Sequence, residues 1–238
     1  MIVSEKMYQL GSQRSVIREL FEYGKKRAAE VGEENVYDFS LGNPTVPAPE
    51  IVNETICELT QKLDSISLHG YTSAQGDAGT RQAIADYLNQ THGTNFKADN
   101  LYMTLGAAAS LSICFHALTT DTKDEFIAIA PFFPEYRVFV ESAGAKFVVV
   151  PADTENFQID FTMMKEKITP NTKGVIINSP NNPSGAVYSE KTIETLAAVL
   201  TEKSKEFGTE IFLIADEPYR EIVYDGVEVP YVTKYYAN

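Results

Sequence analysis

Cysteine and histidine are scarce in this chain of 238 residues, with two of the first and three of the second. Two cysteines cannot build a disulfide framework. Cys57 and Cys114 both fall in helical patterns, so they read as reduced thiols, buried or partly buried. His69, His92 and His116 stand far apart without ligand spacing, so no metal site is expected. Long apolar runs are missing too. The longest, 126–133, falls well short of the ~20 residues that cross a bilayer, and no membrane partner is expected. Residues 1–6 hold no apolar leader core, so a secretory signal is not expected either. Cations are in deficit: 20 Lys plus Arg against 33 Asp plus Glu leave a net charge of −13. No nucleic acid partner is expected, because phosphate backbones are bound by clustered cations. Neither G-x-G-x-x-G nor G-x-x-x-x-G-K-S/T occurs, and no G-x-S-x-G elbow accompanies a Ser-His-Asp order. Dinucleotide, Walker-type and serine-hydrolase readings therefore lose their support. There is no internal repeat, low-complexity tract or Gly/Ser linker. A reduced, cytoplasmic protein is the expectation.

What is present is a chain with 44% hydrophobic residues, enough for a sizeable core and too many for disorder. Apolar spacing predicts helices over Val16–Val31 and 49–63, with a short strand-like stretch at 36–40 between them. The loop 70–76 leads to a helix over 78–90. From there the elements alternate. Strands are predicted at 101–104, 126–130, 146–150, 174–178 and 210–215, and helices at 107–118, 134–142, 161–168 and 190–206. Strand and helix in succession imply right-handed crossovers and an α/β fold, three αβα layers around a mostly parallel sheet. Residues 1–45 are expected to form an N-terminal arm and the start of a small domain, and 46–238 a larger ligand-binding domain.

The most informative stretches sit where strands end. Ser179-Pro180-Asn181-Asn182-Pro183-Ser184-Gly185 follows Val175-Ile176-Ile177, and Ala215-Asp216-Glu217-Pro218-Tyr219 follows Ile211-Phe212-Leu213-Ile214. Open α/β sheets bind ligands beyond the carboxyl ends of their strands. Asp216 has two readings, an N-cap for a helical turn over 217–222 or a carboxylate facing a protonated ring nitrogen. Asn182 and Tyr219 could both donate to a phenolic oxygen of the same ring. An aromatic heterocycle with both features suits these groups, and pyridoxal phosphate is one. Gly106-Ala107-Ala108 opens a predicted helix, where small residues let free N–H groups approach a phosphate; an ordinary helix start is the other reading. Phe133, in Pro131-Phe132-Phe133-Pro134, could stack on a flat heterocycle or simply fill the core.

In order and spacing, these pieces resemble the class I/II aminotransferases, pyridoxal-phosphate enzymes of the aspartate aminotransferase fold type, over about 38–225. The resemblance implies a role for each. Leu41-Gly42-Asn43-Pro44 is similar to a loop that contacts the substrate carboxylate, which implies that Gly42 is substrate-binding, and the resemblance implies the same of Asn182. Tyr71, in Gly70-Tyr71-Thr72 with Gly76 and Arg81, would reach the cofactor phosphate of a neighbouring subunit in a homodimer. Gly106, Ala107 and Ala108 fall at the phosphate cup and Phe133 at the ring-stacking aromatic. Asn182 and Tyr219 would hold the phenolic oxygen, and Asp216 the ring nitrogen. Cis peptide bonds are implied before Pro131 and Pro183. Amino acids and 2-oxo acids are the implied substrates. A C–S β-lyase of the same fold, a ligand-sensing module and a non-catalytic interaction domain are the alternatives. The family's Schiff-base lysine lies farther beyond the aspartate than Asn238 and is expected outside the chain. Lys234, in Val-Thr-Lys-Tyr-Tyr, has the wrong context and reads as a surface lysine. The chain is thus expected to be the N-terminal majority of an enzyme and inactive alone.

Overall fold

A computed structural model describes residues 2–12, 16–40, 42, 46–151 and 153–238. They fall into two compact units, Met1–Gly70 and Tyr71–Asn238. The first contains α1 (Glu5–Ser12), α2 (Val16–Val31), α3 (Glu50–Lys62) and α4 (Ser65–His69). The Asp64 carboxylate caps α4 by accepting from the Ile66 and Ser67 amides at 3.0 Å each. No strand forms at 36–40, contrary to expectation. Asp38 Oδ1 instead accepts the Ser40 amide at 2.8 Å, a local turn that competes with ladder bonding.

In the second unit α5 (Ala78–His92) starts at Asp77, whose carboxylate accepts the Thr80 amide at 2.7 Å. Arg81 on α5 is buried and donates to the Ala98 carbonyl at 2.7 Å and the Gly76 carbonyl at 3.3 Å. It thereby holds the loop before the helix and the one after it. The strand expected at 101–104 is also absent: the segment is extended, and Met103 bonds the Gln75 carbonyl at 3.0 Å without a ladder following. A lone extended pair without further strands gains too little to extend.

The remaining elements are α6 (Ala107–Leu118), β1 (Glu125–Ile129), α7 (Glu135–Ser142), β2 (Lys146–Val150), α8 (Phe161–Lys167), β3 (Thr172–Asn178), α9 (Glu190–Phe207) and β4 (Phe212–Asp216). The strands form one sheet in the order β2-β1-β3-β4, and every pairing is parallel. Alternate residues face opposite sides. Phe126, Ala128 and Ile176 pack with Leu111 and Phe115 of α6 and with Tyr136 and Val140 of α7. Ile127, Ile129, Val175 and Ile177 pack with Met164 of α8 and with Ile193, Leu196 and Leu200 of α9. Burial on both faces explains why these strands read as unbroken apolar runs. Each fully buried aliphatic side chain contributes about 1.5–3 kcal/mol. The expected α/β class and parallel sheet are thus observed.

Strand order then fixes where a ligand can enter. From β1 the chain moves outward to β2, then crosses back to β3 on the other side of β1. The helix after β1, α7, covers one face, and the helix after β3, α9, covers the other. Such a reversal opens a crevice at the carboxyl ends of the two central strands. The Asn181 amide spans it, donating from Nδ2 to the Pro131 carbonyl at 3.1 Å.

Candidate active site

Asp216 is the last residue of β4 and pairs in register with Asn178, the last residue of β3. Asn178 is buried, and both ends of its amide are hydrogen-bonded. Nδ2 donates to the Asp216 carbonyl at 2.8 Å, while Oδ1 accepts the Asn182 backbone N–H at 2.6 Å. One side chain therefore ties the aspartate's backbone to the turn that carries Asn182. Farther out, Asn182 Nδ2 donates to the Tyr219 hydroxyl at 3.4 Å, the long limit for such a bond. The Asn182 turn is closed from within. Asn181 accepts the Ser184 amide at 3.0 Å and its hydroxyl at 2.7 Å, and the Gly185 amide bonds the Asn181 carbonyl at 2.7 Å. Peptide bonds before Pro131, Pro180 and Pro183 are cis.

The Asp216 carboxylate does not cap a helix. Residues 218–221 form a turn, and Oδ2 accepts the Tyr136 hydroxyl at 2.5 Å. Among the described residues nothing donates to Oδ1. Burial, and then the neighbouring carboxylate, push the Tyr136 phenol far above its ordinary range, so it stays a donor at any physiological pH. Phe133 packs edge-on against Tyr136, with ring centroids 5.6 Å apart and planes at 80°. It stays half-buried, which leaves part of its ring free. Burial also raises Tyr188, up to about 12; its amide is held by Ser179 Oγ at 2.9 Å.

Gly106 precedes α6 with φ +85, and nothing lies within 4 Å of where its Cβ would stand. The Ala107 and Ala108 amides make no backbone hydrogen bond among the described residues. Thr104 braces this turn, its hydroxyl meeting Ser110 Oγ at 2.6 Å and the Gly106 carbonyl at 3.0 Å. Open space, two free amides and a helix N-terminus together suit an anion.

The sequence model of the family described as aminotransferase class I and II matches residues 34–235. The chain belongs to that family. An aspartate aminotransferase of Pyrococcus horikoshii is 31% identical over 217 residues, covering 91% of this chain and 51% of that protein. A crystal structure titled as an amino transferase from Eubacterium rectale is 72% identical, with a TM-score of 0.98, and covers 100% of this chain and 60% of that one. The Thermus thermophilus aspartate aminotransferase with maleate is 27% identical at a TM-score of 0.78, covering 97% and 57%. The chain spans about half the length of the curated relatives it matches.

Set against this family, the fold brings Asp216, Asn182 and Tyr219 together at adjoining strand ends and puts Phe133 beside the tyrosine that holds Asp216. Gly106, Ala107 and Ala108 open α6, which packs on α7. Tyr71 is fully exposed, and Gly42 is an exposed residue of the first unit. Leu41, Asn43 and Pro44 of the expected carboxylate loop lie outside the described residues. Lys234 is exposed in a short turn. Cys57 and Cys114 are free but exposed rather than buried; no residue of α3, which carries Cys57, is buried. Among the described residues no cluster of His, Cys, Asp or Glu could hold a metal, and no helix is long and apolar enough to cross a membrane. Two residues of this site, Tyr136 and Asn178, escaped the sequence reading. A buried polar residue closing an apolar strand was the available signal for Asn178. Tyr136 offered none, since its helix reads as ordinary core.

Proposed function

We propose that the complete protein is a pyridoxal-phosphate-dependent aminotransferase, moving an amino group between an amino acid and a 2-oxo acid. The observation that carries this is the Asp216 carboxylate, fixed at the sheet's carboxyl edge with one oxygen held by Tyr136 and the other without a donor among the described residues. A carboxylate so presented suits a cationic ring nitrogen. The donor set fits the rest of the cofactor: an amide and a phenol meet at Asn182 and Tyr219, and open space with two free amides lies at Gly106.

When bound, the pyridine ring supplies a sink for negative charge developing at the substrate's α carbon. The chain's own residues bind and orient that ring. Asp216 keeps a proton on the ring nitrogen. Asn182 and Tyr219 donate to the phenolic oxygen, and Asn182 also meets the substrate. Phe133 covers a ring face, and Gly106 with the Ala107 and Ala108 amides receives the phosphate. Tyr71, fully exposed, reaches the phosphate of the other subunit in a homodimer. Gly42 belongs to the loop facing the substrate carboxylate. The lysine that carries the cofactor and moves the α proton lies beyond Asn238. Residues 1–45 belong to the arm and small domain, 46–238 to the cofactor-binding domain, and the enzyme works in the cytoplasm.

The test is direct. The complete protein should purify yellow, be trapped by borohydride at a lysine other than Lys234, and pass amino groups from an amino-acid panel to 2-oxo acids. Residues 1–238 alone should show no transfer. A colourless protein that neither binds pyridoxal phosphate nor transfers amino groups would refute the proposal. Pyruvate and ammonia released from cysteine-type substrates, without transfer, would make it a lyase.

A further inference from the structure

Tyr136 has no role in the site as read from strand ends, yet it makes the one side-chain hydrogen bond to the Asp216 carboxylate among the described residues. It comes from the other side of the crevice: Asp216 ends β4, whereas Tyr136 lies in the first turn of α7, after β1. We propose that Tyr136 is the positioning residue of Asp216, occupying Oδ2 so that Oδ1 is the oxygen presented to a protonated ring nitrogen. The inference rests on the cofactor reading above and deepens it.

Three observations carry it. An aspartate side chain on a strand end turns about two bonds, and only a partner on one oxygen decides which oxygen faces the ligand. Tyr136 is 1% exposed and its ring is locked by packing, so its hydroxyl is a fixed reference point. The phenol also cannot surrender its proton in the neutral range, so the contact keeps a single polarity, hydroxyl donating and carboxylate accepting. The same ring supports Phe133 edge-on, and the Tyr136 amide bonds the Phe133 carbonyl at 3.1 Å. One residue therefore buttresses both the nitrogen partner and the aromatic proposed to cover the ring. A hydroxyl retained only for folding would need an acceptor, but a main-chain carbonyl would serve as well. Here the acceptor is the carboxylate itself.

A double-mutant cycle in the complete holoenzyme tests this, reading pyridoxal-phosphate affinity by equilibrium dialysis and the absorption maximum of the bound cofactor. Tyr136→Phe removes a single oxygen from a packed ring. It should weaken cofactor binding about tenfold, the scale of a hydrogen bond to a charged group, and shift the maximum. In an Asp216→Asn background the same change should cost less than about twofold, because its effect runs through the carboxylate. Tyr136→Phe binding within twofold of wild type, or losses that multiply in the double variant, would overturn the inference and leave the cofactor reading standing. Wild-type protein that does not bind the cofactor would instead remove that reading and this inference with it. Should Tyr136→Phe fail to fold, 3-fluorotyrosine at position 136 decides the matter. Its fluorine resonance should move on Asp216→Asn substitution, and an unmoved resonance would refute the contact.

Discussion

Replacing Asn178 by alanine would strip two hydrogen bonds from the centre of the site at once. The residue is 4% exposed, and its amide bridges the Asp216 carbonyl at 2.8 Å and the Asn182 N–H at 2.6 Å. Each bond is worth about 1 kcal/mol net, and each stranded partner adds a desolvation cost of about 1–3 kcal/mol when water cannot reach it. Asp216 and Asn182 are half-buried, so water recovers part of that cost. The expected loss for Asn178→Ala is then about 2–4 kcal/mol. Urea titration of the complete protein gives the change in midpoint. Amide hydrogen exchange supplies the local reading, in which the Asn182 N–H should lose protection ahead of the β3 and β4 ladders. Asn178→Asp separates the two contacts, since it keeps an acceptor for Asn182 but points a second acceptor at the Asp216 carbonyl. It should not rescue stability at neutral pH. A loss below about 0.5 kcal/mol, the scale of an ordinary surface substitution, with unchanged Asn182 exchange would show that the bridge does not hold the two strand ends together.

Two further outcomes follow from local geometry. Gly106 has φ +85 with open space at the Cβ position, so Gly106→Ala meets no clash and its cost is backbone strain, about 1–3 kcal/mol. Thermal unfolding should register that loss and dialysis a weaker cofactor affinity; an unaffected affinity would exclude the α6 amides as phosphate ligands. His92 stacks on Tyr231 at 4.3 Å, and its pKa is lowered by burial first, then by Arg220 and Lys234, against a smaller opposite pull from Glu221 and Glu217. Below its ordinary value of 6.5 the unfolded imidazole binds more protons than the folded one, so this residue makes stability fall as pH drops through that interval. His92→Phe keeps the stack and should flatten the slope of melting temperature against pH between about 5 and 7, where free imidazole titrates; an unchanged slope would assign the effect elsewhere.

The boundaries of α6 and β2 could be read from apolar spacing alone because each lays apolar residues against the core; α2 was read to the same bounds, although none of its residues is buried. Position at strand ends was equally legible, since turn chemistry at 179–185 and 215–219 interrupts β-branched runs. The segments 36–40 and 101–104 misled for the opposite reason. A strand exists only by pairing, and composition carries no record of whether a neighbour is there to pair with. Local competitors, the Asp38 carboxylate in one case and a single bond to Gln75 in the other, decided both. The contact between Tyr136 and Asp216 was out of reach for a related reason. It joins elements brought together only when the sheet forms, and a tyrosine on an apolar helix face looks like packing. Asn178 was missed although a signal existed, a polar side chain following Val175-Ile176-Ile177 with no solvent to turn to.

The register pairing of Asn178 with Asp216 has a consequence for how such a site tolerates change. Of the groups that would grip a flat ring, Asp216 stands on the strand itself, and the turn carrying Asn182 is tied to it through Asn178, so both are referred to the spacing of neighbouring strands, ~4.8 Å. Loops other than those carrying Asn182 and Tyr219 are therefore free to lengthen, shorten or swap residues to admit different side chains, while the backbone ladder beneath would keep the grip on the ring calibrated.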